Sequence, residues 1–219
     1  MKKVIIFDFD NTLVLSLEDW KYMIDHETAK HYTVQENLEF EKKRHGLSNK
    51  DTAKLFLQMH GLDSLTVDDV IDYWYPYMEE KYRNSIDFVP GAKWALETLK
   101  TKGYTLVLAT ATGRSLVSKA VKIFDVEKYF DLIICEEEVG KSKMEPDIYY
   151  KIMEKLKVEP KDCLYFEDSS IALTTASKIG IDCVGIVSKL NMHKAEKLSK
   201  FCKMVICEYN QENLDKLGL

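Results

Sequence analysis

Residues 5–14, IIFDFDNTLV, place two acids at the end of a stretch that otherwise reads as buried sheet. Val4, Ile5, Ile6 and Phe7 form an unbroken apolar run, the pattern of a strand covered on both faces in an α/β protein. Asp8 ends the run. Phe9, Asp10, Asn11 and Thr12 follow, and the polar members of that set favour turns and local side-chain-to-backbone hydrogen bonds over a continuing ladder. The acids therefore sit where a buried strand stops, and in open α/β sheets ligands collect in the crevice outside the carboxyl ends of the strands. One Asp there reads most simply as a turn or cap residue. Two, separated by a single residue, hold like charges close at a cost that a cation or a shared proton relieves.

From Phe88 onward, short apolar runs alternate with helical patterns. Pro90-Gly91 opens a helix with Trp94, Ala95, Leu96 and Leu99 as its apolar positions, and YTLVLAT then reads as a strand closing at Thr110. A helix around Leu116 to Phe124 leads to the strand DLIIC, and the segment after Pro146 is helical to Leu156 before the strand CLYFED. Helical residues 171–179, the strand DCVGIV, helical residues 195–201 and the strand KMVIC complete the series. Strands alternating with helices predict an α/β fold with a doubly wound parallel sheet. Residues 15–86 break the rhythm with helical patterns alone, punctuated by turn signals at His45-Gly46, His60-Gly61 and Pro76. The expected organisation is a core domain from 1–14 and 87–219 with a helical cap domain, 15–86, inserted after the first strand. Two linkers, near Val14 and over 85–89, would form a hinge.

The 219 residues, 46% apolar and 31% charged, suffice for such a domain with an insertion. A formal charge of −5 gives no basic footprint for nucleic acid or an anionic membrane. The apolar run after the first lysines meets acids at once, and nothing later approaches a membrane-spanning length, so a cytoplasmic location is expected. Five cysteines without a CxxC read as reduced, small hydrophobes, and the histidines have no zinc-ligand spacing. A bound metal should be oxygen-liganded.

A parallel sheet brings strand ends to one edge, and here these carry Asp8 and Asp10, Thr110, and Glu167-Asp168, with Lys143 of KMEPDIY before a helix. Taken singly, Thr110 reads as a strand-end turn residue and Glu167-Asp168 as the start of the next helix. Together and in order, DFDNT, LAT, KMEPDIY and FEDS resemble the motifs of the haloacid dehalogenase superfamily, whose helical cap is inserted where residues 15–86 lie. The resemblance implies that Asp8 is the nucleophile that becomes an aspartyl phosphate, and that Asp10 protonates the leaving oxygen and then activates water. It further implies Mg2+ held by Asp8, the Asp10 carbonyl and Asp168, with Glu167 reaching the metal directly or through water. Thr110 and the amides of Ala111 and Thr112 would hold phosphoryl oxygens, and Lys143 would offset the charge. Lys143 is followed by Met144 where the family has Pro, and Ala172 stands in place of a Gly. GKS at 140–142 is not a phosphate-binding loop, since Cys135 occupies the position that needs Gly.

Asp10 sets the chain apart from dehalogenases and phosphonatases, which have no ester oxygen to protonate, so hydrolysis of a small phosphate ester is the leading expectation. The expected partner is a small phosphate ester, and the expected state a monomer. HGLSNKD, 45–51, resembles the substrate loop of the sugar-phosphate mutase branch, which has Arg where Asn49 stands and His where Trp20 stands. His45 and Asn49 are the candidates for touching substrate from the cap. Tyr73, Trp74, Tyr75, Tyr77 and Tyr82 either line a pocket or pack, packing being the commoner role, and Lys42, Lys43 and Arg44 read as a solvated face or as an attractor for an anionic substrate. A non-catalytic phosphate-binding regulator on the same fold would have lost a nucleophile, acid or metal ligand, and none is missing.

Overall fold

The computed structural model describes residues 2–29, 33–44 and 46–219. Six strands, β1 Val4–Phe7, β2 Thr105–Thr110, β3 Leu132–Cys135, β4 Cys163–Glu167, β5 Asp182–Ile186 and β6 Met204–Ile206, form one sheet in the order β3-β2-β1-β4-β5-β6. Every pair is parallel. The chain winds outward from β1 to β3, returns to β4 beside β1, and winds outward again, so the winding reverses between β1 and β4. Phe7 lies opposite Leu108 on one side and Phe166 on the other. The residue after it, Asp8, is thereby level with the ends of both neighbours.

Alternation along the strands builds two cores. Ile5 and Phe7 join Leu106, Leu108 and Phe166 on one face, while Val4 and Ile6 join Val107, Ala109 and Tyr165 on the other. Helices α5 Ala92–Thr101 and α6 Arg114–Ile123 cover the first face, and α7 Asp147–Leu156, α8 Ser170–Lys178 and the four-residue α9 Ala195–Leu198 cover the second. The helix α10 Gln211–Lys216 closes the chain. Each fully buried Ile or Phe contributes about 1.5–3 kcal/mol, so a one-residue slip of β1 would be strongly opposed. All five cysteines are free, with Cys135, Cys163 and Cys183 buried. Among the described residues, no helix is long and apolar enough to cross a membrane.

Between β1 and α5 lie four helices, α1 Leu17–Ala29, α2 Val34–Arg44, α3 Asn49–His60 and α4 Val67–Asn84. Ser48 caps α3 through the Asp51 amide, and Thr66 with Asp69 forms a capping box on α4. The two chain crossings into and out of this helical segment run side by side: the Leu15 amide donates to the Asp87 carbonyl at 2.8 Å and the Val89 amide to the Leu13 carbonyl at 2.9 Å.

Two sequence expectations are corrected. Pro76 marks no turn and lies inside α4; it sits on an exposed face, so the hydrogen bond it removes leaves a carbonyl that water can satisfy. The helix expected over 195–201 stops at Leu198, because the Lys203 amide already bonds the Cys183 carbonyl and the intervening residues must turn back to start β6.

The C-terminal segment braces the loop that carries the acids. Tyr209 donates its hydroxyl to the Thr12 carbonyl at 3.0 Å and its amide to the Pro90 carbonyl at 2.8 Å. Gly91 makes this approach feasible: its φ is +75°, and a Cβ there would lie 1.8 Å from the Tyr209 carbonyl oxygen. Gly91→Ala should therefore lower stability by on the order of 2 kcal/mol or more, read as a lower urea midpoint with an unchanged m-value.

Candidate active site

Asp8 follows β1 directly and is 6% exposed, and its amide donates to the Phe166 carbonyl at 3.0 Å. The next residues close a tight loop in which the Leu13 and Val14 amides both return to the Phe9 carbonyl. Asn11 sits in this loop at φ 60°, a left-handed conformation that Asn tolerates better than most residues. Lys143 arrives from the loop between β3 and α7 and is itself buried. Its Nζ donates to Asp8 Oδ1 at 2.5 Å and to Glu167 Oε2 at 3.0 Å. Lys141, two residues away, is exposed and lines a separate, smaller cavity of about 260 Å³.

Both carboxylate oxygens of Glu167 are engaged. One carboxylate oxygen accepts from Lys143 and the Tyr165 hydroxyl, the other from the amides of Asp168 and Ser169 at 3.0 and 2.9 Å. Burial pushes its carboxyl up, but the Lys143 charge and these donors outweigh it and hold it below the ordinary value. With both oxygens taken, Glu167 orients Lys143 and the Asp168 loop. Asp8 is different: burial pushes its carboxyl well up, Lys143 opposes this, and the Glu167 charge adds to the rise. Asp168 is raised as well, by burial and then by Glu167 and Asp8.

Asp8, Glu167 and Asp168 each offer a carboxylate oxygen within 4.8 Å of the others, and no other such acid, Cys and His grouping occurs among the described residues. Two of these three acids, Asp8 and Glu167, contact the buried Lys143. This surplus of hard oxygen donors, two of them destabilised as anions, fits a divalent cation such as magnesium.

Asp10 lies in a different web. Its Oδ1 accepts from Ser16 Oγ at 2.6 Å, Trp20 Nε1 at 3.0 Å and Tyr82 Oη at 2.6 Å, and its Oδ2 from Thr112 Oγ1 at 2.7 Å. Trp20 and Tyr82 belong to α1 and α4, so the inserted helices grip this acid directly. Burial, followed by the adjacent Asp10 charge, raises the Tyr82 hydroxyl well above its ordinary value and keeps it a donor. Thr110 closes β2 at 1% exposure, and its Oγ1 accepts from the Thr112 amide at 3.1 Å. That contact engages one of the two amides expected to face phosphoryl oxygens.

A cavity of about 540 Å³ opens over these groups. It brings together Asp8, Asp10, Thr110, Ala111, Thr112, Lys143, Glu167, Asp168 and Asn49. His45 lies outside the described residues. Of the five aromatics, Trp74, Tyr75 and Tyr82 are buried in packing and Tyr73 is 57% exposed, and none lines this cavity. Trp20 does.

Sequence reasoning missed several groups. Glu136 borders the cavity, and its Oε1 accepts from the Lys143 amide at 2.6 Å. The rule that flagged Asp8, an acid directly after an apolar strand, would have found it at the end of DLIIC. Tyr82 had no such signal, since its role depends on a contact across 72 residues. His193, Lys194 and Lys197 also line the cavity, as does Arg44, which the sequence offered as an attractor for an anionic substrate.

Glu136 carries a pH signature. Its Oε2 is buried without a hydrogen-bond partner, and burial, opposed by the Lys143 charge, raises its carboxyl from 4.5 to about 7. The folded protein then holds a proton that the unfolded chain has released, so this contribution to stability is complete below pH 4.5 and is lost as pH rises to about 7. In metal-free buffer the wild type should lose stability relative to Glu136→Gln across that window, by about 1.4 kcal/mol per pH unit, with no further divergence at higher pH. Thermal midpoints of the two proteins at a series of pH values measure this.

The family model for haloacid dehalogenase-like hydrolases matches residues 5–186. A phosphorylated carbohydrates phosphatase of Thermotoga maritima is 28% identical over 198 residues, covering 88% of this chain and 89% of that protein. Hexitol phosphatase B of Escherichia coli is 28% identical over 123 residues, 48% of this chain and 55% of that protein. Among solved structures, CbbY of Rhodobacter sphaeroides in complex with phosphate superposes with a TM-score of 0.80 at 21% identity, over 100% of both chains. A hydrolase of Pseudomonas syringae gives 0.75 at 20% identity, over 99% of this chain and 98% of that one. Those two likenesses concern the fold. The family match spans all four strand-end motifs, and the chain belongs to the haloacid dehalogenase-like hydrolases.

Proposed function

We propose that this enzyme is a magnesium-dependent phosphomonoester hydrolase acting through a phosphorylated Asp8, with phosphorylated carbohydrates as its substrate class. The observation that carries the reading is the buried contact of Lys143 with both Asp8 and Glu167, beside Asp168 and Thr110 at one sheet edge. The names of the Thermotoga and Escherichia relatives support the substrate class.

In this mechanism an Asp8 carboxylate oxygen attacks phosphorus, the bond to the ester oxygen breaks, and that oxygen leaves as an alcohol with a proton from Asp10. Water then attacks the phosphorus of phospho-Asp8, gives its proton to Asp10, and releases inorganic phosphate and the free carboxylate. Lys143 stays charged throughout: burial alone would lower it, but Asp8 and Glu167 hold it well above its ordinary value. It can therefore balance charge on the transferring group. Thr110 orients phosphoryl oxygens. Magnesium, held by Asp8, the Asp10 carbonyl and Asp168, would neutralise phosphoryl charge and help align the group.

We further propose that residues 15–86 act as a cap hinged at the paired crossings near Val14 and Phe88. The acid is tied to this motion. Four donors hold the Asp10 carboxylate oxygens, and two of them, Trp20 and Tyr82, move with the cap. A closed cap would exclude water during transfer and read the substrate.

With p-nitrophenyl phosphate and magnesium, Asp8→Asn should lose at least about 10³-fold in turnover while its thermal unfolding stays cooperative. Near-normal turnover would refute the aspartyl-phosphate route. Lys143→Ala should lose about 10²–10³-fold, whereas Lys141→Ala should stay close to wild type. The reverse ranking would move the cation to Lys141.

A further inference from the structure

The cavity that holds the acids also carries cations on its wall. Lys194 and Lys197 line it from the core and Arg44 from the last residue of α2. None of the three belongs to a catalytic motif.

The two lysines stand on an anchored turn. Asn191 is 1% exposed; its side-chain oxygen accepts from the Ser188 amide at 2.5 Å and its carbonyl from the Lys194 amide at 2.8 Å. Three residues beyond Ala195, Leu198 is 1% exposed and packs in the core. Pinned at both ends, the turn presents Lys194 and Lys197 to the cavity. Among the described residues, neither lysine has a carboxylate within 4.0 Å. Arg44 spends its Nε on Glu41. Other surface lysines pair with acids, as Lys119 does with Glu79 and Lys203 with Asp182. Two lysines and an arginine on one cavity wall repel one another unless an acid or a bound anion offsets them.

We infer that Lys194 and Lys197, with Arg44, form a second anion subsite. The preferred esters then carry a further acidic group, phosphate or carboxylate, remote from the phosphoryl group that is removed. This rests on the phosphatase reading above and narrows it. A volume of about 540 Å³ admits a sugar-sized molecule. The anchor that Asn49 does not supply in place of the mutase arginine comes instead from the end of α2 and from the turn before β6.

The test is competition against p-nitrophenyl phosphate hydrolysis by the full chain in excess magnesium, with glucose 6-phosphate, glucose 1,6-bisphosphate and 6-phosphogluconate as probes. At least one doubly anionic probe should inhibit about fivefold or more tightly than glucose 6-phosphate, and the bisphosphate and sugar-acid arms separate a phosphate from a carboxylate as the second group. In Lys194→Ala/Lys197→Ala that advantage should shrink to about twofold or less, whereas Lys200→Ala should keep it. Smaller preference in the wild type, including no inhibition by any probe, overturns the subsite, as does a preference that survives in the double variant. If Lys194 serves only to balance Asp168, the double variant weakens all three probes alike and the assignment falls. Calorimetric titration of the same probes into Asp8→Asn, with and without the lysine pair, reads the subsite independently. Failure to hydrolyse p-nitrophenyl phosphate with a retained binding preference would sink the phosphatase reading and leave the subsite standing.

Discussion

The buried contact of Lys143 with Asp8 and Glu167 is the constraint around which the site is organised. Breaking a buried ion pair from one side leaves a stranded charge and costs far more than a surface pair contributes. Here one cation faces more than one acid. Glu167 is held ionised by Lys143, a tyrosine hydroxyl and two amides, and the remaining charge imbalance falls on Asp8 and Asp168. That imbalance is a poor way to stabilise a fold and a good way to receive a divalent cation and a phosphoryl group. The surrounding structure sustains it, because the strands that deliver these acids are buried on both faces.

Topology brings the charges together. Because the winding reverses between β1 and β4, the chain leaves the sheet edge in opposite directions there and opens a crevice beside Asp8. The register that sets Phe7 opposite Leu108 and Phe166 puts Asp8, Thr110 and Glu167 along one edge. Tyr209, from the far end of the chain, ties down the loop after Asp8, and Gly91 leaves room for it. The inserted helices reach the same edge from outside. Gly46 approaches Ile171 so closely that a Cβ would lie 2.6 Å from its Cδ1, so the helical segment meets the core right beside the cavity. Asp8 is thus set by the sheet, whereas Asp10 is gripped by side chains of α1 and α4. One acid is fixed by the core and its neighbour answers to the insertion.

Strand periods and acid-terminated apolar runs were legible because they are local. Four apolar residues before Asp8 make a buried strand whatever surrounds them, and the alternation after Phe88 dictates a parallel sheet once crossover connections are required. The four motifs could be ordered from the chain alone because each marks the end of a recognisable strand or the start of a helix. Pro76 was misread since a proline ends a helix only if the carbonyl it orphans cannot reach water. Glu136 follows the same local pattern as Asp8, an acid directly after an apolar strand.

By itself, the sequence determined the sheet, the insertion of helices after β1, and which acids, threonine and lysine gather at one edge, since hydrophobic periodicity and turn chemistry act over a few residues. Only the tertiary structure decided that Lys143 contacts Glu167 as well as Asp8, that four donors occupy the oxygens of Glu167, and that Tyr82 and Trp20 hold Asp10. It alone placed Arg44, Lys194 and Lys197 on one cavity. These are contacts between residues far apart in the chain, set by how helices and loops pack. A side chain's charge is written in the sequence, but its partner is chosen by distance and burial, and those exist only once the chain has folded.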